Sequence, residues 1–275
     1  MSAAVSLGCP MGPFVRAEIE RRTEALPGAA ATIVCSNGSS WTGVYGEATL
    51  GSGRLIAADS VFQIASVSKT FAGVALALAQ NEGLLQLDEP LYQTLPTARI
   101  GQGGSGKAIN LMHLASQSSG LLPHSYTNFI EERTDYGSMI KKLKHAPFIC
   151  RPGACYSYQN VAFSLIGDAI ERRSEITYRA FVEKKIFSPL DMQDAWLGEK
   201  APPGRELVSP HVHTKAGWRA APPNNQYYKV LPAAGVNASI ADMKRWLEAL
   251  LGLTPLLSPE PVSYTHLTLP TNREV

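Results

Sequence analysis

Ser66-Val67-Ser68-Lys69 sets a hydroxyl and an amine three residues apart at the head of an Ala- and Leu-rich stretch. On a helix that spacing puts both side chains on one face, within reach of each other. A serine hydroxyl is a weak nucleophile until a base takes its proton, and a lysine becomes that base when desolvation or nearby positive charge lowers its pKa. A helix N-terminus adds free N–H groups and a dipole that favour the negative charge developing there. The same four residues also read as an exposed capping serine followed by a solvated lysine, so the spacing alone leaves both readings open.

Other chemistry-bearing residues form weaker patterns. Gly101 to Lys107 has the spacing of a phosphate-cradling loop, but Ala108 stands where the metal-binding hydroxyl belongs and no buried strand leads in. His211 and His213 lie two apart without an acidic or cysteine partner nearby, and read as surface histidines. The four cysteines, Cys9, Cys35, Cys150 and Cys155, have no zinc-site spacing. Cys150 and Cys155 flank Arg-Pro-Gly-Ala, a turn that would allow a local disulfide, and the preferred reading is reduced thiols.

The elements that must position Ser66 and Lys69 follow from periodicity. Apolar residues at Phe71, Val74, Ala75, Leu78 and Ala79 make Ser66 to about Glu82 a buried helix ended near Gly83. Pro13 opens a helix through Glu24, stopped by Pro27-Gly28. Two β-rich runs, 31–36 and 39–45, flank Asn37-Gly38, the dipeptide of a two-residue hairpin turn. Residues 91–150 hold scattered Gly, Pro and Ser with weak helical pieces. Helical spacing returns at Ala162, Leu165, Ile166, Ala169 and Ile170, and at Met243, Trp246, Leu247, Leu250 and Leu251, where Ser239 and Asp242 make a capping pattern and Gly252 a stop.

At 275 residues and 45% hydrophobic composition the chain can bury a large core. The net charge of +2 is spread without a block of like sign, which argues against a nucleic-acid partner. The longest apolar run, Phe71 to Ala79, is about half of the roughly 20 residues a membrane span needs. The first residues lack the basic start and apolar middle of a secretory signal, so they assign no compartment.

The sequence around Ser66, Phe62-Gln-Ile-Ala-Ser-Val-Ser-Lys-Thr-Phe71, resembles the nucleophile motif of class C β-lactamases, D-alanyl-D-alanine carboxypeptidases and related β-lactamase-like esterases. Further segments agree in order: Gly83 to Pro90 after the nucleophile helix, His113 to Leu121, Tyr158-Gln159-Asn160 as the family's Tyr-x-Asn, and Pro232 to Trp246. The resemblance runs from about residue 29 to 251 and implies a mixed α/β (α+β) fold, an antiparallel sheet flanked by helices. It implies one domain over 1–260, with about 91–220 supplying an inserted helical lobe. By the same resemblance Ser66, Lys69 and Tyr158 are catalytic and Asn160 binds substrate, donating to its carbonyl. The Tyr158 phenol is expected to be made more acidic by the neighbouring ammonium.

The implied activity is that of a serine hydrolase forming an acyl-enzyme on a β-lactam, a D-Ala-D-Ala peptide or a small ester, with no cofactor or metal. The alternative is a penicillin-binding-like protein that holds or is acylated by cell-wall-like ligands without turnover. The partner is a small-molecule or peptide substrate, and the resemblance suggests a bacterial periplasm or cytoplasm. Two departures stand out. The family's third motif, Lys/His-x-Gly on a strand after the last helix, has no counterpart there, and Lys215-Ala216-Gly217 reads as a loop decoy. Val262 to Thr271 resembles the translation of a transposase-type sequencing adapter, so 261–275 is expected to be a non-native tail and the final strands to be missing.

Overall fold

The computed structural model describes residues 12–102 and 104–255; the tail expected over 261–275 lies outside them. The chain opens with α1 (Gly12–Thr23) and the hairpin β1 (Gly28–Val34) and β2 (Ser40–Gly46), paired antiparallel with Gly28 opposite Gly46 and Val34 opposite Ser40. The turn between them is longer than the two residues expected from Asn37-Gly38. Gly38 N–H donates to Cys35 O and Cys35 N–H to Ser39 O, so Ser36, Asn37 and Gly38 form a three-residue loop. Gly38 takes the left-handed conformation, φ +82°, that such a loop demands.

β3 (Val61–Gln63) leads through a 3-10 turn, Ala65–Val67, into α2 (Ser68–Asn81). From Ser68 to Ala77 every residue of α2 is buried, the signature of a helix inside the core rather than on its surface. It ends as its sequence requires, at Gly83 with φ +72°, where Leu84 N–H returns to Ala79 O.

Short helices α3 (Leu91–Thr94), α4 (Leu111–Ala115), α5 (Thr127–Glu131) and α6 (Tyr136–Lys142) follow, then α7 (Leu165–Ser174) and α8 (Tyr178–Val182). Segment 91–220 carries these short helices among long irregular stretches, and it also holds three strands. These are β4 (Trp196–Leu197) and the hairpin of β5 (His211–Thr214) with β6 (Gly217–Ala220). β4 is too short to show a period in sequence. Lys215-Ala216 make the turn of the second hairpin, so the Lys-x-Gly there is a loop feature.

α9 (Leu231–Ala234), β7 (Val236–Ser239) and α10 (Ile240–Leu250) complete the described chain. β7 is the middle strand of an antiparallel sheet ordered β3-β7-β4. The Ser239–Asp242 capping box expected from sequence is formed. α10 closes over α2 through Trp246, whose ring stacks on Phe71 at 4.0 Å and whose indole N–H donates to Thr70 Oγ1. The architecture is mixed α/β with antiparallel sheets. No helix among the described residues is long and apolar enough to cross a membrane.

Cys150 and Cys155 are joined in a disulfide, which corrects the expectation of reduced thiols. The Pro152-Gly153 turn, with Gly153 at φ +83°, brings their Cα atoms to 6.3 Å, within the range a disulfide spans. Cys35 is disulfide-bonded as well.

Candidate active site

Ser66 sits in the 3-10 turn ahead of α2, two residues before the α-helix that was expected to begin with it, while Lys69 lies in the first turn of α2. The preceding residue, Ala65, has φ +46°, a left-handed conformation costly to a residue with a Cβ. Ile64 N–H donating to Val236 O and Val67 N–H donating to Ile64 O hold the bend on either side. The result is an exposed hydroxyl on a sharp strand-to-helix corner, with a buried amine directly behind it.

Lys69 is 4% exposed, and its Nζ has four oxygen neighbours. They are Ser66 Oγ at 3.2 Å, Tyr158 OH at 2.7 Å, Asn160 Oδ1 at 2.8 Å and Ala233 O at 2.9 Å. Ser66 Oγ and Tyr158 OH are 2.6 Å apart. All four residues singled out from the sequence, Ser66, Lys69, Tyr158 and Asn160, thus meet at one nitrogen.

The segment carrying Tyr158 and Asn160 is neither helix nor strand, and its side chains alternate in direction. Tyr158 and Asn160 point to Lys69. Ser157 and Gln159 point the other way, onto the carbonyls of Leu121 and Leu122. Behind Tyr158, the His124 ring lies 5.4 Å away and His124 N–H donates to Tyr158 O.

Burial, with no carboxylate among the described residues to compensate, brings the Lys69 amine down from 10.5 to about 7. Burial pushes the Tyr158 phenol up, only partly opposed by its hydrogen bond with Ser66. That reverses the expectation of a more acidic phenol: an amine that is itself half neutral supplies little positive charge to stabilise a phenolate. Among the described residues no group of three or more His, Cys, Asp or Glu could hold a metal ion.

Two participants escape sequence reasoning. The Ala233 carbonyl belongs to the backbone, and any residue type could present it; its only trace is its place in the Pro232–Val236 stretch. His124 carries no spacing signal toward Tyr158.

The chain matches the Beta-lactamase family profile over residues 15–273. It belongs to the β-lactamase family. Among relatives of this β-lactamase-family chain, the D-alanyl-D-alanine-carboxypeptidase/endopeptidase AmpH of Escherichia coli K12 is 28% identical over 212 residues, 75% of this chain and 53% of the relative. A Beta-lactamase of Yersinia enterocolitica is 28% identical over 153 residues, 56% of this chain and 38% of the relative. The chain spans about half the length of the curated relatives it matches. Solved structures of a class C β-lactamase and of a β-lactamase/D-alanine carboxypeptidase from Pseudomonas syringae superpose with TM-scores of 0.75 each, at 21% and 20% identity. They cover 96% and 94% of this chain, which covers 71% and 69% of theirs.

Proposed function

We propose that this β-lactamase-family chain is a serine hydrolase in which Ser66 is the nucleophile, Lys69 the base and Tyr158 the relay between them. The observation that carries the reading is the short path Ser66 Oγ, Tyr158 OH, Lys69 Nζ, at 2.6 and 2.7 Å. Counting hydrogens gives it a direction. Asn160 Oδ1 and Ala233 O can only accept, so a neutral Lys69 amine donates its two hydrogens to them and turns its lone pair to the Tyr158 hydroxyl. Tyr158 donates to that lone pair and accepts from Ser66.

As Ser66 Oγ bonds to a substrate carbonyl carbon, its proton passes to the Tyr158 oxygen while the Tyr158 proton passes to Lys69. The raised phenol stays protonated at neutral pH, which suits a relay and not a stored phenolate. Collapse of the tetrahedral adduct breaks the bond to the leaving group, which takes a proton back along the same path. A water then attacks the acyl-enzyme by the same route, releasing the acid and restoring Ser66. Asn160 spends its carbonyl on Lys69, which leaves its amide NH2 to donate to substrate.

The names of the relatives support an amide as substrate, with a β-lactam or a D-Ala-D-Ala peptide as the specific proposals; a small ester rests on the sequence resemblance alone. The full chain and Ser66→Ala are assayed on a chromogenic cephalosporin, a nitrophenyl ester and a D-Ala-D-Ala peptide. Turnover of any of them that vanishes in Ser66→Ala supports the reading. Labelling of Ser66 by fluorescent penicillin without product would favour the non-hydrolytic alternative, and silence on every substrate and on the label would reject the hydrolase.

A further inference from the structure

Tyr158 and Asn160 must be held to within a few tenths of an ångström of Lys69, yet the segment bearing them has no strand partner among the described residues. What faces it is Gln117, 3% exposed, in the loop after α4. Its side-chain amide pairs with both main-chain groups of Gln159. Gln159 N–H donates to Gln117 Oε1 at 2.6 Å, and Gln117 Nε2 donates to Gln159 O at 3.2 Å. Gln117 O in turn accepts from Ser157 N–H at 2.6 Å. One glutamine therefore supplies three bonds of a two-residue ladder, two of them from its side chain, to the residues on either side of Tyr158.

The price of this arrangement is paid in the backbone: Gln117 has φ +55°, a left-handed conformation that turns its side chain onto residue 159. No group of Gln117 touches Ser66 or Lys69 in any of these bonds, so its influence on them must pass through Tyr158 and Asn160.

We propose that Gln117 is a positioning residue for the Ser66 reaction, its buried amide standing in for a neighbouring strand and fixing Tyr158 between Ser66 and Lys69. The inference rests on the hydrolase reading. Near-attack geometry is sensitive enough that a displacement of about 1 Å can cost about a hundredfold in rate.

Gln117→Met keeps the length and loses both amide bonds. Gln117→Asn keeps an amide, one methylene short, on a residue more tolerant of left-handed backbone. Nitrophenyl-ester hydrolysis is measured for each in the parent and in a Tyr158→Phe background, with thermal unfolding as the folding control. For a folded Gln117→Met, kcat is expected to fall about tenfold to a hundredfold with KM little changed, while the same substitution on Tyr158→Phe costs no more than about fivefold. Gln117→Asn is expected to fall between and carries the test if the Met variant does not fold. An equal factor in both backgrounds, or unchanged kcat in folded variants, would overturn the positioning role. Activity that survives Ser66→Ala would instead overturn the hydrolase reading itself.

Discussion

Lys69 is surrounded by neutral oxygens, and the same burial that makes its ammonium costly leaves a lone pair available near pH 7. The sign for catalysis follows. With a pKa of about 7, roughly one amine in ten is neutral at pH 6 and nine in ten at pH 8, so kcat/KM should rise about tenfold across that interval and then level. A pH–rate profile of ester hydrolysis checks this. A profile flat from pH 6 to 8 would remove Lys69 from the role of base. The Ser66–Lys69 pair was visible in the sequence because neighbours on a helical corner keep a fixed spacing. Tyr158 and Asn160 were singled out only by the resemblance of Tyr158-Gln159-Asn160 to the family's Tyr-x-Asn; read alone, Tyr158 would pass for a packed tyrosine. The Ala233 carbonyl and the Gln117 amide were not visible, since one has no residue signature and the other acts on a backbone far away in sequence.

At the scale of elements, the disulfide loop and the caps decide how firmly the site is held. Cys150–Cys155 closes a six-residue loop directly before Tyr156, and Gly153 N–H ties it to Ser118 O beside Gln117. Loop-closure entropy for so short a ring is worth about 2 kcal/mol. Cys150→Ser with Cys155→Ser should therefore lower the unfolding midpoint by about 4–8 °C, read by calorimetry against the parent. No change would mean that the turn is already formed in the unfolded chain. Ser239→Ala removes the side-chain cap of α10, whose Ser239 is fully buried, and should cost about 1–2 kcal/mol in denaturant unfolding. An unchanged midpoint would show that another group satisfies the Asp242 N–H. These elements also mark the limits of pattern reading. The α10 cap was legible because it is a local three-residue signal. The β1–β2 loop was misjudged by one residue because the Val34–Ser40 pairing, not the Asn-Gly dipeptide, sets its length. β4 gains its identity only from pairing with β7.

Across the whole molecule, two titrating groups shifted by desolvation, the half-buried Asp168 and the buried Lys69, pull stability in opposite directions with pH. Asp168 on α7 accepts from Tyr136 OH of α6 at 3.0 Å, and burial raises its pKa from 3.8 to about 6. Between those values the folded chain holds a proton that the unfolded chain has released. The stability tied to Asp168 is therefore full below about pH 4 and lost as pH rises through 6. For Lys69 the folded pKa lies below the unfolded one, so its penalty is full below about pH 7 and disappears as pH rises through 10.5. The two windows meet near neutrality, where both groups weigh against folding. Asp168→Asn separates them: it keeps an oxygen for Tyr136 and carries no charge at any pH. The variant should match the parent at pH 4 and exceed it at pH 7 by about 1–3 kcal/mol, with Lys69 contributing equally to both chains. Thermal unfolding at the two pH values reads the difference. An equal gain at both would mean that packing, not the Asp168 charge, separates the chains, and no gain at either would mean that the carboxylate stays solvated in the folded state.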